Sequence, residues 1–224
     1  MMMTMTTNFV PIKSDKFDFY ISKYQITMRE YLTFANETHS HYPEWMEKEN
    51  KYNIETGSDD LYEEANFEDD APIIGISWED AKAYCAWLSL KDAKNYRLPT
   101  EIEWEYACRA NTITPYSCQE DEVNEHAWYF DNALGEAHVV ASKKPNPWGL
   151  YDMHGNVWEW CEDVWQETYY MGVDESYANN SEKRRVLRGG SWFDMKENAT
   201  CSARHKYDLD FRYVDVGFRL LLTS

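Results

Sequence analysis

Two carboxylates and two backbone carbonyls stand close together in one short stretch of this chain. Asp152 is followed three, five and seven residues later by Gly155, Val157 and Glu159. The set is oxygen-only, and calcium takes six to eight oxygen ligands at about 2.3–2.6 Å, with a glycine turn able to aim carbonyls inward. Without an ion, Asp152 and Glu159 would instead accept hydrogen bonds from loop amides and indole N–H groups. Calcium is the expectation. A second group of reactive types follows Ser191, where Asp194, Cys201 and His205 are near in sequence and could form a small metal or catalytic site. Burial of Cys201 in a structural role competes with that reading, so no catalytic residue is assigned. The five cysteines, at 85, 108, 118, 161 and 201, show neither a CxxC nor a close histidine partner that would make a zinc site. Cys85 and Cys108 fall on the inward stripe of expected helices and read as small hydrophobes. The six histidines show no H-x-x-x-H or H-x-E pattern, and no nucleophile elbow, phosphate-cradling loop or HExxH motif is present.

The elements that must position these groups are legible in part. Thr27 can cap a helix running to about Thr38, with Met28, Tyr31, Leu32 and Ala35 on one face. Ser77 with Asp80, and Thr100 with Glu103 after Pro99, open two more helices with capping-box chemistry. From Tyr116 onward the helical period disappears into aromatic runs and turns, so the second half is expected as loops with a few strands. Residues 1–224 read as one domain, with a variable segment at 1–18 and an acidic surface insertion at 39–71 too polar to fill a core.

Charge narrows the partners. With 22 Lys+Arg against 40 Asp+Glu the formal charge is −18, which repels nucleic acid and anionic headgroups. A basic protein or peptide surface is the favoured partner, and no oligomeric state is implied. No run approaches the ~18 apolar residues of a membrane span, and the start carries no leader pattern, so a cytoplasmic protein is expected.

Five segments then carry a resemblance. They are Tyr24-Gln25-Ile26-Thr27; Pro72 to Ala81; Tyr96-Arg97-Leu98-Pro99-Thr100-Glu101 to Ala107; Asn146-Pro147-Trp148-Gly149-Leu150-Tyr151-Asp152 to Trp160; and Arg188-Gly189-Gly190-Ser191-Trp192 through Gly217-Phe218-Arg219-Leu220. Their order and spacing resemble the formylglycine-generating-enzyme (sulfatase-modifying-factor) family over roughly Phe19 to Leu222. The resemblance implies an α+β, C-type-lectin-like fold with little regular secondary structure. It implies a structural calcium on Asp152, Gly155, Val157 and Glu159. It also implies two copper-binding cysteines after the Gly-Gly-Ser element, because soft Cu(I) prefers thiolates. Here Asp194 stands where the first is expected, the second has no counterpart, and Cys201 matches a third, structural cysteine. Formylglycine-generating oxidase activity is therefore not expected, nor is copper or iron.

Two functions from different classes follow. One is a binding module without catalysis, presenting Trp192, Phe193, Asp194, His205, Tyr207, Asp208, Phe211 and Tyr213 to a protein or peptide, in a layout similar to the variable proteins of diversity-generating retroelements. The other is a metal-dependent oxidoreductase or formylglycine-generating-type enzyme acting on a peptide or small thiol, with Asp194, Cys201 and His205 as a non-standard site. Against both stands the simple packing of those aromatics on the last strands.

Overall fold

The computed structural model of the protein describes residues 8–168 and 183–223. Eight strands follow in chain order: β1 (Phe9–Lys13), β2 (Asp18–Ser22), β3 (Asn95–Arg97), β4 (Trp158–Val164), β5 (Arg184–Arg188), β6 (Arg204–Asp208), β7 (Val216–Gly217) and β8 (Leu221–Thr223). Four helices accompany them: α1 (Met28–Thr38), α2 (Trp78–Asp92), α3 (Glu101–Arg109) and the single turn α4 (Val123–His126). The architecture is α+β. One sheet has the order β1-β2-β8-β3 and joins both ends of the chain; the other has the order β6-β5-β4-β7.

Each long helix starts where its capping box stands. Thr27 with Glu30, Ser77 with Asp80 and Thr100 with Glu103 each exchange the reciprocal pair of cap hydrogen bonds that satisfies otherwise orphaned amides. Helices α1 and α2 bury one aromatic stripe against each other and against Phe218, with Tyr31 stacked on Tyr84 and Tyr84 edge-on to Phe218. Helix α3 buries Trp104, Ala107 and Cys108 in a second cluster with Ile12, Phe19 and Ile21 of the first sheet and Val186 of the second. Trp160 is fully buried and Trp158 nearly so, whereas Trp192 is half-buried on the edge of the core.

Two expectations about segments change. The acidic insertion at 39–71 is not only a surface excursion: Trp45 and Tyr62 enter the core, Trp45 donating from its indole to Ile74 O and Tyr62 donating to Glu44. Its average polarity conceals two anchors. The run Asp59, Asp60, Glu68, Asp69 and Asp70 is exposed, as a solvated face should be. The segment at 1–18 also contributes structure, since β1 pairs with β2 and buries Ile12.

Candidate functional site

The oxygen cluster is gathered as its spacing requires, but a protein donor stands on it. Gly155 has a left-handed φ of 92°, and a Cβ there would lie 1.9 Å from Trp128 O, so only glycine permits this turn. The turn aims carbonyls inward, where the side-chain amide of Gln25 faces Asp152 O at 3.4 Å, Gly155 O at 3.4 Å, Val157 O at 3.0 Å and Glu159 Oε1 at 3.0 Å. Asn156 Nδ2 donates to Gln25 Oε1, which fixes the amide with its nitrogen toward the oxygens. Glu159, wholly buried, also accepts two bonds from Arg219, at 2.6 and 2.7 Å, and one from the Trp104 indole at 2.6 Å. This is the hydrogen-bonded arrangement that was weighed against calcium. Two observations match a cation: one NH2 group brings two hydrogens to four acceptors, and Asp152 Oδ1 is buried without a partner. Burial pushes the Asp152 carboxyl up to about 6, partly offset by its bond from the Ala141 amide and by Arg219. In donor type the set fits calcium, which here would have to displace the Gln25 amide.

The thiols are arranged differently from expectation. Cys85 is a buried small hydrophobe in the first core cluster. Cys108 is not merely that: its thiol donates to Cys201 Sγ at 3.5 Å and lies 3.9 Å from His154 Nε2. All three residues are buried. Burial raises the Cys108 thiol well above its usual range, while the hydrogen bond from Cys108 draws Cys201 down to about 5. A close histidine partner therefore exists, brought from the loop before β4, and spacing within the cysteine pattern carried no sign of it. Among the described residues no hydrogen bond joins Cys201 to Asp194 or His205, so the suggested triple is not assembled. Instead Asp194 Oδ2 accepts from the Trp158 indole at 2.7 Å, and Asn198 donates to Oδ1 at 3.1 Å.

The last loop region forms a face. Gly190, at φ 77°, lets the chain after β5 pass Ala199 where a Cβ would meet Asn198 O at 2.7 Å. Beyond it, Ser191 Oγ lies 2.6 Å from Asp194 Oδ2 and 2.7 Å from Asp215 Oδ2. One hydroxyl hydrogen cannot be donated to two carboxylates at once. Burial, with Asp194 adding repulsion, raises Asp215 to about 7 against the smaller opposing effect of the Ser191 bond, which favours a proton on that acid. Above this locked base, His205 packs on Trp158 and on Tyr207, Tyr207 on Phe211 at 4.2 Å, and Phe211 on Tyr213. Trp192 meets Phe193 edge-on. Exposure is 57% for Phe193, 53% for Met195 and 36% for Phe211. The Phe130 amide donates to Asp194 O, and Phe130 is itself an exposed aromatic. Asp208 is exposed at the end of β6. Thus the rings of His205, Tyr207, Phe211 and Tyr213 touch in series, Trp192 touches Phe193, Asp208 is exposed, and Asp194 is spent on internal bonds. Nothing in the sequence groups Trp158, Met195 and Phe130 with this region.

Comparison with known proteins places this geometry. Residues 3–224 match the sulfatase-modifying factor enzyme 1-like domain. The chain is 36% identical over 169 residues to the formylglycine-generating enzyme of Mus musculus, covering 66% of this chain and 43% of that protein. It is 37% identical over 153 residues to serine/threonine-protein kinase pkn1 of Chlamydia caviae, covering 66% of this chain and 23% of that protein. The chain thus matches less than half the length of either relative. Among solved structures, Treponema denticola variable protein 1 superposes with a TM-score of 0.72 at 26% identity, covering 92% of this chain and 85% of that one. Among the described residues no helix is long and apolar enough to cross a membrane. With its α+β, C-type-lectin-like fold, the chain belongs to the sulfatase-modifying factor enzyme 1-like domain family.

Proposed function

We propose that this chain is a recognition module of its family, binding a protein or peptide over the face at 192–215, and that it does not perform copper-dependent cysteine oxidation. The observation that carries the reading is the continuous aromatic path from His205 through Tyr207 and Phe211 to Tyr213, flanked by exposed Phe193 and Met195. Rigid aromatics over a locked base are the chemistry of binding hot spots, because they supply contact area with little side-chain entropy to lose. Likeness to a variable protein of the same fold supports it. The segment from Trp192 to Thr200 has no cysteine, and Cys201 pairs with Cys108, away from the face. For the oxidoreductase alternative, the Asp194 carboxylate is already committed to Trp158, Ser191 and Asn198.

Exposed Glu197, Asp208 and Asp210 around the face, with the formal charge of −18, favour a basic ligand whose capture weakens with salt. Calcium belongs to the same proposal as a structural ion: Asp152, Gly155, Val157 and Glu159 would hold it, with Gln25 withdrawn, and it would cross-link the loop without entering any reaction. The cytoplasm is the proposed location, where the free thiols would persist. The test is selection of a random peptide display library on the native chain and on the Phe193→Ala, Phe211→Ala double variant. Enrichment of Lys- and Arg-rich peptides on the first, reduced about tenfold or more on a folded double variant, supports the reading. Equal enrichment on both refutes the face.

A further inference from the structure

The cluster of Cys108, His154 and Cys201 has no part in the recognition face, and its chemistry is that of a metal site. The three ligand atoms lie within 4.8 Å of one another, with Sγ to Sγ at 3.5 Å and Cys108 Sγ to His154 Nε2 at 3.9 Å. For tetrahedral zinc, with Zn–S near 2.3 Å and Zn–N near 2.0–2.1 Å, the corresponding edges are about 3.8 Å and about 3.6 Å. The observed spacings lie within a few tenths of an ångström of those edges, and the sulfurs are far outside the ~2.05 Å of a disulfide. We propose that Cys108, His154 and Cys201 bind one zinc ion as a buried structural site, with the hydroxyl of Ser117, 2.7 Å from His154 Nε2, offering a fourth ligand oxygen.

The surroundings are those a zinc site requires. His154 Nδ1 donates to Ala199 O at 2.7 Å, which fixes the tautomer and leaves the Nε2 lone pair facing the thiols, as second-shell carbonyls do for ligating histidines. That lone pair now accepts from the Ser117 amide and from its hydroxyl at 2.7 Å; the ion takes it over, and the hydroxyl moves out by roughly half an ångström to reach a ligand position. Charge balances as well. Zinc binding displaces the single proton held between Cys108 and Cys201, and two thiolates with a neutral imidazole make a neutral complex, the only kind that a wholly buried site holds without a large desolvation penalty. The site would tie α3 and the loop before β4 to the chain just ahead of β6, where Arg188 also holds the carbonyls of Cys201, Ser202 and Ala203. It would therefore anchor the base of the segment that carries the aromatic face. The proposal does not rest on what that face binds.

The test is elemental analysis by inductively coupled plasma mass spectrometry of the full chain, purified without chelator and passed through gel filtration. The expected result is about one zinc per chain, falling at least about tenfold in Cys108→Ser and Cys201→Ser but unchanged in Cys85→Ser, whose thiol is elsewhere in the core. Should the serine variants fail to fold, the unaltered chain produced in cobalt-supplemented medium decides the matter by its near-ultraviolet thiolate-to-cobalt charge-transfer absorption. Absence of that band, substoichiometric zinc in the unaltered chain, zinc retained in Cys108→Ser, or a Cys108–Cys201 disulfide in a non-reducing peptide map overturns the proposal.

Discussion

Replacing Asp215 by Asn should lessen the stability that this protein loses as pH rises from about 4 to about 7. The carboxyl of Asp215 is 4% exposed and shares the hydroxyl of Ser191 with Asp194. Burial first, then Asp194, raises it from 3.8 to about 7. In the unfolded chain it ionises near its ordinary value, so between about pH 4 and pH 7 the folded state holds a proton that the unfolded state has lost. The stability contributed by this group is complete below about pH 4, declines through that window, and is gone above pH 7. A shift of about three units at 1.36 kcal/mol each is on the order of 4 kcal/mol. An asparagine at this position does not titrate. Its stability relative to the native chain should rise by on the order of 4 kcal/mol between pH 4 and pH 8. Urea unfolding followed by tryptophan fluorescence at half-unit pH steps measures this. Asp152 and Asp163, each raised to about 6 chiefly by burial, titrate in both proteins and largely cancel in the difference. Parallel stability curves for the two proteins would refute the shared-proton reasoning.

Other perturbations have equally definite outcomes. Arg219→Met leaves the wholly buried Glu159 without its cation and should destabilise the fold by about 3–5 kcal/mol, measured by urea denaturation at pH 7. Trp45→Ala should cost about 3–5 kcal/mol although the residue lies in the acidic insertion; a change under about 0.5 kcal/mol would show that the insertion merely covers the core. Calcium at a hundredfold excess over its dissociation constant should stabilise by about 2.7 kcal/mol, and Glu159→Gln should abolish that increment. A melting temperature identical in calcium and in chelator would mean that Gln25 keeps its place. Phe193→Ala should leave stability within about 0.5 kcal/mol because its ring is exposed, whereas Phe211→Ala, which loses ring contacts with Tyr207 and Tyr213, should cost about 0.5–1.5 kcal/mol.

What could be read from the sequence was what is local. The three capping boxes lie within four residues each, so their helices start where the pattern puts them. The oxygen set from Asp152 to Glu159 was legible for the same reason, but its internal donors, Gln25 and Arg219, come from opposite ends of the chain. β3 and β8 are three residues each and pair across more than a hundred positions, beyond any periodicity. The insertion was misread because a mean polarity averages away Trp45 and Tyr62. Cys108, His154 and Cys201 are 46 and 93 residues from one another along the pairs that meet, so no motif spacing joins them. On the aromatic face, the partners 205, 207, 211 and 213 are sequence neighbours and could be grouped, while Phe130 arrives through one backbone hydrogen bond to Asp194.

The most direct test of recognition in place of oxidation is one incubation. A library of basic peptides containing cysteine is mixed with the native chain, Cu(I) and oxygen, and the retained peptides are eluted and read by mass spectrometry after aldehyde capture with a hydrazide. The expected result is selective retention of peptides that carry no aldehyde, lost in the Phe193→Ala, Phe211→Ala variant. Aldehyde-bearing products, or retention that does not depend on those two rings, would contradict the account.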